Sequence, residues 1–368
     1  MDTSDPDISF NVDGICNHCI QFDEIAEKSW FPDERGADKL VNLVTQIKKE
    51  GEGKKYDSIL GLSGGIDSSY LALKAYEWKL RPLVVHVDAG WNSELAVANI
   101  EAILKHCDFD LHTHVVDWEE MRDLQLAYLR SGISNQDVPQ DHIFFSTLRH
   151  FAVSNHIRYF LSGGNLATEG IFPRSWLGSN LDSTNLKSIH RKYGRGKLKN
   201  YKTISFFEYY LWYPLVHKIC EIRPLNYMPY DKSVALEELK EKIGYKPYKR
   251  KHGESLFTKF FQNYWLPEKF GFDKRKPHLS SLIASGQISR QSALDEMHKP
   301  LYDKHELEQD IAFFCKKLLI TREEFDQLME VPNSSYKDFP NWDLRYKLVK
   351  KCKNLVEALL GRKIKVPS

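Results

Sequence analysis

The sequence has little cysteine and no excess of charge of either sign. Its 368 residues include 6 cysteines, and 52 basic residues against 50 acidic ones give a formal net charge of +2. Few, scattered cysteines argue against a disulfide framework and favour a reducing compartment. The balanced charge gives no general attraction to nucleic acid or to a membrane surface, so we expect no nucleic-acid partner. A chain of this length can form about two domains with a sizeable core.

The sequence also lacks a secretion signal and a membrane-spanning run. Its N-terminus is acidic and polar, whereas a signal peptide begins with basic residues followed by an apolar stretch. The most apolar and aromatic stretch, Ile204 to Cys220, is interrupted by Glu208, Pro214 and Lys218. It is too short and too polar to span a bilayer. We therefore expect a cytoplasmic protein without membrane insertion.

Residues 57–69 combine a short apolar run with Ser-Gly-Gly and lead into a helix-like segment, Tyr70 to Leu80. This pattern predicts a strand, a tight turn and a helix. Glycine lets the backbone approach a ligand closely, and a helix N-terminus binds phosphate through its free N–H groups. Asp67 is a candidate ligand for Mg²⁺, which prefers one or two carboxylates together with phosphate oxygens. The candidate nucleotide-binding residues here are Leu62, Ser63, Gly64, Gly65, Asp67, Ser68 and Ser69.

Further strand-like runs alternate with helix-like segments, at Pro82 to Val87, Leu111 to Val116 and Arg158 to Leu161. This alternation predicts an α/β fold with a doubly wound parallel sheet. Ligands of such sheets bind beyond the carboxyl ends of the strands. The ends of the second and fourth predicted strands therefore contribute further candidate nucleotide-binding residues, namely Val87, Asp88, Gly163, Gly164 and Asn165.

Three regions differ in character and define the predicted domains. Residues 1–35 are polar and irregular, residues 36–230 hold the predicted sheet, and residues 231–368 are mainly helical. Residues 171–203 are predicted to form a long loop, either a lid over an anionic substrate or a mobile surface segment. The basic run Lys249 to Lys251 is interpreted as a solvated charge cluster.

The N-terminal region contains a Cys-x-x-Cys pair, Cys16 and Cys19. Such a pair is half of a structural zinc site, which needs two further ligands. His18 is a possible third ligand, and the other cysteines are isolated in apolar or helical contexts. The residues alone leave open whether the pair binds Zn²⁺ or remains as two free thiols.

The glycine-rich stretch SGGIDSS lacks the Gly-Lys-Ser/Thr ending of a Walker A loop. It resembles the SGGxDS loop of the PP-loop ATP pyrophosphatases, which cleave ATP to AMP and pyrophosphate. Together with GICNHC, HVDAGWN, SGGN and the C-terminal block HGESLFTKFFQNYWLPEKFGFDKRKPHLSSLIASGQISR, it makes the chain resemble the N-acetyl sugar amidotransferases of the WbpG type. That family acts in bacterial O-antigen and nonulosonic acid biosynthesis. The family usually carries a further Cys-x-x-Cys upstream, so its zinc knuckle is only half present here, as Cys16 and Cys19.

The resemblance implies the use of ATP and Mg²⁺ to convert an acetamido group of a UDP-linked sugar, such as a diacetamido uronic acid, into an acetamidino group. The reaction would pass through an adenylated intermediate. The resemblance assigns Asp67, Lys259 and Arg275 as catalytic residues, with the two cations stabilising charge on the phosphates.

Ammonia would have to come from another protein. The residue after Met1 is Asp2, and Cys16 is followed by Asn17 and His18, so neither an N-terminal nucleophile nor a strained cysteine elbow is present. The resemblance implies separate subunits similar to the glutaminase and cyclase subunits of imidazole-glycerol-phosphate synthase.

Two other hypotheses remain open at this point. A tRNA-thiolating PP-loop enzyme would share the adenylation step, but it would need a sulfur-carrying cysteine near the loop, and none flanks SGGIDSS in the sequence. A nucleotide-binding scaffold without catalysis is the second, and the intact Asp67 argues against it.

Overall fold

Five parallel strands form one sheet in the order β3-β2-β1-β4-β5. The computed structural model describes residues 1–248 and 253–360, so the basic run Lys249 to Lys251 lies outside the described residues. At the centre of the sheet, Ile59 pairs with Leu83 on one side and with Phe160 on the other. The strands are β1 Ser58–Gly61, β2 Pro82–Asp88, β3 Leu111–Val115, β4 Tyr159–Leu161 and β5 Cys220–Ile222.

Helices connect the strands and make up most of the rest of the described chain. Two short π-helical segments, Glu208–Val216 and Phe261–Trp265, and two 3₁₀ turns, Pro224–Tyr227 and Tyr336–Asp338, lie between them. The α-helices are α1 Asn17–Ser29, α2 Glu34–Glu50, α3 Ile66–Glu77, α4 Glu94–Cys107, α5 Trp118–Ser131, α6 Val138–Ser154, α7 Leu166–Glu169, α8 Ser183–Tyr193, α9 Lys232–Ile243, α10 Leu256–Phe260, α11 Leu266–Phe270, α12 Arg275–Ala284, α13 Arg290–Met297, α14 Lys304–Leu318, α15 Arg322–Glu330 and α16 Asp343–Leu360.

The central strands are apolar on both faces because helices cover both sides of the sheet. Leu60 and Leu71 belong to the hydrophobic cluster on one face, and Ile59 and Met121 belong to the cluster on the other. All four are fully buried. The sheet is therefore the doubly wound parallel sheet that the alternating pattern predicted.

The edge strand β3 differs from the central strands, since most of its residues are exposed. Leu111 and Val115 both keep much of their side-chain surface in contact with solvent. Within the described residues, no helix combines the length and the apolar character needed to cross a membrane.

Two segments predicted to be irregular contain helices. Helix α1 lies within residues 1–35 and buries Phe22, and α8 lies within residues 171–203. The carboxylate of Asp182 accepts hydrogen bonds from the backbone N–H groups of Thr184 and Asn185 and so caps α8. The prediction of an unbroken loop over residues 171–203 was therefore wrong, because a capped helix forms where the polar composition suggested none.

The C-terminal region is mainly helical, as predicted. Its aromatic side chains form a third cluster with residues of the sheet-bearing part of the chain. Trp91, which follows β2, packs its ring against Phe257 and Phe314 at centroid distances of 5.3 and 5.8 Å. The helical region thus shares a core with the loops at the carboxyl ends of the strands.

Candidate functional site

The glycine-rich loop leaves β1 in a conformation that only glycine adopts easily. Gly64 has a φ of +83°, and a Cβ atom there would lie 2.8 Å from the backbone oxygen of Ala96. The hydroxyl groups of Tyr245 and Tyr248 donate to the carbonyl oxygen of Gly64, at 2.8 and 2.9 Å. The carbonyl is thereby held by two side chains of the C-terminal region, and the turn leads directly into α3.

The loop serines bond to one another around the start of α3. The hydroxyl oxygens of Ser63 and Ser68 are 3.1 Å apart, and the backbone N–H of Gly65 donates to Ser63 Oγ at 3.2 Å. Ser69 is different, because its side chain is fully buried and its hydroxyl has no hydrogen-bond partner in the described part of the chain. Of the three predicted serines, the structure brings Ser63 and Ser68 to the loop surface and turns Ser69 into the core.

Asp67 lies where the first and fourth strand ends meet. Its Oδ1 accepts hydrogen bonds from the Tyr230 hydroxyl at 2.5 Å and from the Asn165 amide at 3.2 Å. A Cβ atom on Gly163 would lie 3.1 Å from the Asp67 backbone oxygen, so the second glycine-rich turn passes close to the first. Burial and the charge of Asp67 raise the pKa of Tyr230 far above its usual value, which keeps its hydroxyl protonated as a donor.

These elements enclose a cleft of about 420 Å³ beyond the carboxyl ends of β1 and β4. Six residues predicted for the nucleotide site line it, namely Ser63, Gly65, Asp67, Ser68, Gly163 and Gly164. The sequence analysis missed four polar residues of its lining, Glu169, Lys232, Tyr248 and Glu254. Glu169, Lys232 and Tyr248 lie in parts of the chain without a recognised motif, so no local signal could have found them. Glu254 lies in the C-terminal block HGESLFTK that the sequence analysis quotes, but only Lys259 and Arg275 were selected from that region.

The end of β2 contributes less than predicted. Val87 is buried, and the carboxylate of Asp88 accepts a hydrogen bond from the backbone N–H of Gly90 at 2.8 Å. Neither residue lines the cleft, and Leu62 is also buried. His86, which the sequence analysis did not select, supports the loop instead, since its Nδ1 donates to the Leu62 carbonyl at 2.8 Å.

The structure does not bring the predicted cations Lys259 and Arg275 into the cleft. Lys259 Nζ lies 2.5 Å from Asp310 Oδ2 and 3.3 Å from Glu306 Oε1, both on α14. Arg275 pairs with Asp273 at 2.7 Å and donates further hydrogen bonds to carbonyl oxygens at the end of α13. Both side chains join helices of the C-terminal region to one another.

The two cysteines of the Cys-x-x-Cys pair lie close together, but the described residues bring no further ligand to them. The sulfur atoms of Cys16 and Cys19 are 3.5 Å apart, while His18 Nε2 lies 2.5 Å from Asp5 Oδ2. Burial and the neighbouring Cys16 raise the pKa of Cys19 to about 11. Among the described residues, no group of three or more possible metal ligands is present. The residues in place therefore do not fit a zinc ion.

Comparison with protein families matches residues 254–353 to the model described as "LPS biosynthesis protein WbpG-like, C-terminal domain". Comparison with curated proteins gives no match.

Solved structures similar to the chain include an NH3-dependent NAD synthetase from Campylobacter jejuni subsp. jejuni NCTC 11168, at 13% identity and a TM-score of 0.30, covering 43% of this chain and 72% of that one. An NMN synthetase from Francisella tularensis has 15% identity and a TM-score of 0.31 and covers 60% of this chain and 98% of that one. An NAD+ synthetase from Burkholderia pseudomallei has 17% identity and a TM-score of 0.29, with coverages of 61% and 94%. At these TM-scores the likeness carries no argument about this chain, and the fold assignment rests on the strands and loops described above.

Proposed function

We propose that this protein is an ATP-dependent amidotransferase that converts an acetamido group of a UDP-linked diacetamido uronic acid into an acetamidino group. The observation that carries the proposal is the cleft, in which a glycine-rich loop at a helix N-terminus, a carboxylate and a second glycine-rich turn come together. The match of residues 254–353 to a family named for lipopolysaccharide biosynthesis supports a nucleotide-linked sugar as the acceptor. On this proposal the protein is cytoplasmic and serves O-antigen synthesis.

The cleft suits a triphosphate for physical reasons. The free N–H groups at the start of α3 and the hydroxyls of Ser63 and Ser68 are donors that face one small volume. Lys232 is a cation in the same lining. Phosphate oxygens accept hydrogen bonds from all three kinds of group, and the positive end of the helix dipole adds to the attraction.

Asp67 fits a role in holding Mg²⁺. Its Oδ1 is occupied by Tyr230 and Asn165, whereas its Oδ2 accepts no hydrogen bond from the described residues. A carboxylate that lines a phosphate-binding cleft is a typical protein ligand of this ion, which takes its other ligands from water and phosphate. Bound there, Mg²⁺ would neutralise charge on the phosphates.

The proposed reaction has two displacements. The amide oxygen of the acceptor attacks the α-phosphorus of ATP, the bond from that phosphorus to the bridging oxygen breaks, and pyrophosphate leaves. Ammonia then attacks the carbon of the resulting imidoyl adenylate, and AMP leaves with the former amide oxygen. The loop donors hold the pyrophosphate as its charge develops, so positioning and electrostatic stabilisation supply the catalysis.

Ammonia is proposed to come from separate glutaminase and ammonia-channelling subunits. A sulfur-transferring alternative receives no support from the site, because none of the cysteines whose side chains are described lines the cleft.

The test combines purified protein with Mg-ATP, an ammonium salt and a UDP-linked diacetamido uronic acid. AMP, pyrophosphate and the mass of the sugar nucleotide are followed together. We expect AMP formation that depends on the sugar and a mass change from acetamido to acetamidino. Exchange of Asp67→Asn should lower turnover at least about a hundredfold, because the metal ligand is lost while the side-chain volume is kept.

Asp295→Asn is the matched control, since this carboxylate is exposed and, among the described residues, its one side-chain hydrogen bond is to the Gln291 amide on the same helix. It should leave turnover unchanged. AMP formation without any change in the sugar would contradict the proposed acceptor. An Asp67→Asn enzyme that is as active as the wild type would contradict the proposed site.

A further inference from the structure

A polar cluster lies beside the cleft and takes no part in the nucleotide site described above. It consists of Asp137, Gln140 and Asp141 at the start of α6, Asn180 in the loop between α7 and α8, which donates to Asp141, and Lys274 at the start of α12, whose charge is influenced by Asp137 and Asp141. Asp137, Gln140 and Lys274 are buried, whereas Asp141 and Asn180 are only partly buried. The cluster is therefore largely buried, and its contact with solvent is greatest at Asp141 and Asn180.

Lys274 is the unusual member of the polar cluster. Its side chain is 8% exposed, yet it makes no ion pair or hydrogen bond with any residue that the structure describes. Its ammonium group lies 4.5 Å from the ring centroid of Phe172. Buried cations are normally paired, because an uncompensated charge in the interior is costly.

Three carboxyl groups influence Lys274 electrostatically without contacting it, those of Asp137, Glu169 and Asp141. Burial lowers the pKa of Lys274, and these carboxyls oppose that effect. Burial likewise raises the pKa of Asp141 well above its usual value.

Hydrogen-bond accounting shows what kind of ligand the polar cluster lacks. Asp137 accepts from the Thr258 hydroxyl at 3.0 Å and the Gln262 amide at 3.3 Å, and Asp141 accepts from the Asn180 amide at 2.6 Å. The carboxylate oxygens of the cluster are thus already supplied with hydrogen-bond donors.

The groups without a partner among the described residues are donors. They are the ammonium of Lys274 and the amide nitrogen of Gln140, whose residue is 2% exposed. A ligand that completes the cluster must bring acceptor oxygens.

The position of the polar cluster links it to the cleft. Helix α6 precedes β4 in a parallel sheet, so its first turn lies at the carboxyl-end edge where the cleft opens. Glu169 lines the cleft and is also an electrostatic neighbour of Lys274 and Asp141. Gln140 accepts a hydrogen bond from Ser255, the residue after the cleft-lining Glu254.

We propose that Lys274 binds an anionic oxygen of the acceptor substrate, and that the polar cluster is the acceptor pocket beside the nucleotide cleft. The carboxylate of an acidic sugar supplies that oxygen, Gln140 donates to it, and the exposed ring of Phe172 offers an apolar face beside it. This inference rests on the proposed function, because it concerns the second substrate of the same reaction. The inference assigns anion binding to Lys274, whereas the sequence suggested this role for its neighbour Arg275.

The test measures binding rather than turnover. Wild type, Lys274→Met and Lys274→Arg are titrated calorimetrically with a UDP-linked diacetamido uronic acid, its neutral 6-hydroxymethyl analogue, UDP and a non-hydrolysable ATP analogue with Mg²⁺. Lys299→Met is the matched control, since Lys299 has a largely exposed side chain that pairs with Glu296 on its own surface. Thermal unfolding of each variant shows whether it is folded.

We expect the wild type to prefer the uronic acid over the neutral analogue by roughly tenfold to a hundredfold, as for one hydrogen-bonded charge pair. Lys274→Met should abolish this preference, Lys274→Arg should keep part of it, and Lys299→Met should keep all of it. Affinity for the ATP analogue should not change. Affinity for UDP should not change either, because UDP carries no carboxylate.

Three results would overturn the inference. They are an unchanged preference in Lys274→Met, a loss confined to the ATP analogue, and a wild type that binds neither sugar probe. Because these are binding data, they are separable from the proposed function. If the wild type shows the expected preference but forms no AMP, only the proposed reaction is contradicted. If the wild type forms the acetamidino product but Lys274→Met keeps the preference, only the inference about Lys274 is contradicted.

Discussion

Asp67 is positioned by side chains that are distant from it in the sequence. Tyr230 and Asn165 both donate to its Oδ1. The two donors hold one oxygen, whereas the other accepts no hydrogen bond from the described residues, and Asp67 lines the cleft. Outer partners of this kind orient a carboxylate ligand and are needed for tight metal binding.

The first prediction concerns the Tyr230 hydroxyl. We expect Tyr230→Phe to weaken the apparent affinity for Mg²⁺ in the ATP-dependent reaction roughly tenfold to a hundredfold, because Asp67 loses its shorter orienting hydrogen bond. The measurement is the Mg²⁺ concentration that gives half-maximal AMP formation at saturating ATP.

Tyr227→Phe is the control for this exchange. Tyr227 stacks on Phe31, and no hydrogen bond of its hydroxyl is present among the described residues. It should leave the Mg²⁺ dependence unchanged. If both exchanges shift the Mg²⁺ dependence equally, orientation of Asp67 by Tyr230 is not the cause.

Residues of the site could be predicted from the sequence where the signal was local. Asp67, Ser63 and Ser68 lie in one motif, and the structure brings them together in the cleft. Ser69 could not be separated from Ser68 by the motif alone, because adjacent helical residues point about 100° apart and only one of them faces the loop. Lys259 is paired with carboxylates on α14, about fifty residues away in the sequence, which no local pattern could reveal.

At the scale of elements, the apolar runs and caps were informative. Helix α4 begins after Ser93, a residue type that favours N-caps, and the Ser93 hydroxyl accepts from the backbone N–H of Ala96 at 3.2 Å. Strand β5 was not predicted, because a strand of three residues that includes Glu221 is too short to show an alternating pattern of apolar and polar residues. Helix α8 was missed because its sequence is polar, and it is stabilised by its cap at Asp182 and by packing against α5.

The side chain of His142 links α6 by hydrogen bonds to the backbone on either side of α8. Its Nδ1 donates to the Asn180 carbonyl at 3.0 Å, and its Nε2 accepts from the backbone N–H of Ile204 at 3.2 Å. The second bond requires the neutral ring, because a protonated Nε2 cannot accept a hydrogen bond. Burial lowers the pKa of His142 to about 4 from the usual 6.5.

The second prediction concerns the pH dependence of stability. The unfolded chain binds a proton on His142 below pH 6.5 that the folded chain does not bind until about pH 4. The stabilisation from His142 is therefore full above pH 6.5 and decreases as the pH falls, by about 3 kcal/mol at pH 4. We expect the difference in free energy of unfolding between wild type and His142→Asn to shrink by this amount across that range, measured by urea unfolding.

The difference between wild type and variant cancels the contribution of Asp182, whose effect on stability changes with pH in the opposite direction. Burial raises the pKa of Asp182 to about 6, so its contribution grows as the pH falls, and it is present in both proteins. His156→Asn is the control, because His156 is exposed. A wild-type-minus-variant difference that stays constant from pH 7 to pH 4 would contradict the buried neutral state of His142.

At the scale of the whole molecule, the alternation of strands and helices predicted a parallel sheet, but it could not give the strand order. The strand order depends on pairings between distant parts of the sequence. Strand β1 pairs with β4, although β2 and β3 lie between them in the chain. The packing of the C-terminal helices was equally hidden, since Trp91, Phe257 and Phe314 meet only in three dimensions. The sequence suggested a change of character at residue 231, whereas the aromatic cluster extends across that position.

The third prediction follows from this shared cluster. Phe314 is 2% exposed and packs on Trp91, Phe257 and Phe260. Phe314→Ala should lower the free energy of unfolding by about 3–5 kcal/mol, the usual cost of emptying a buried phenylalanine site. Because the cluster contains residues from both sides of position 231, we expect tryptophan fluorescence and far-UV circular dichroism to report one coincident transition.

The adjacent residue provides the control, since Phe313 lies on the same helix but is 42% exposed. Phe313→Ala removes the same side chain from a site that is far more open to solvent, so it should cost clearly less than Phe314→Ala. Two separate transitions in the Phe314→Ala protein, with only the later one near the wild-type midpoint, would show that the helical region unfolds on its own. In that case the cluster would be a contact between independent domains, and the cleft residues Tyr248 and Glu254 would be supplied by a unit that can detach from the loop they complete.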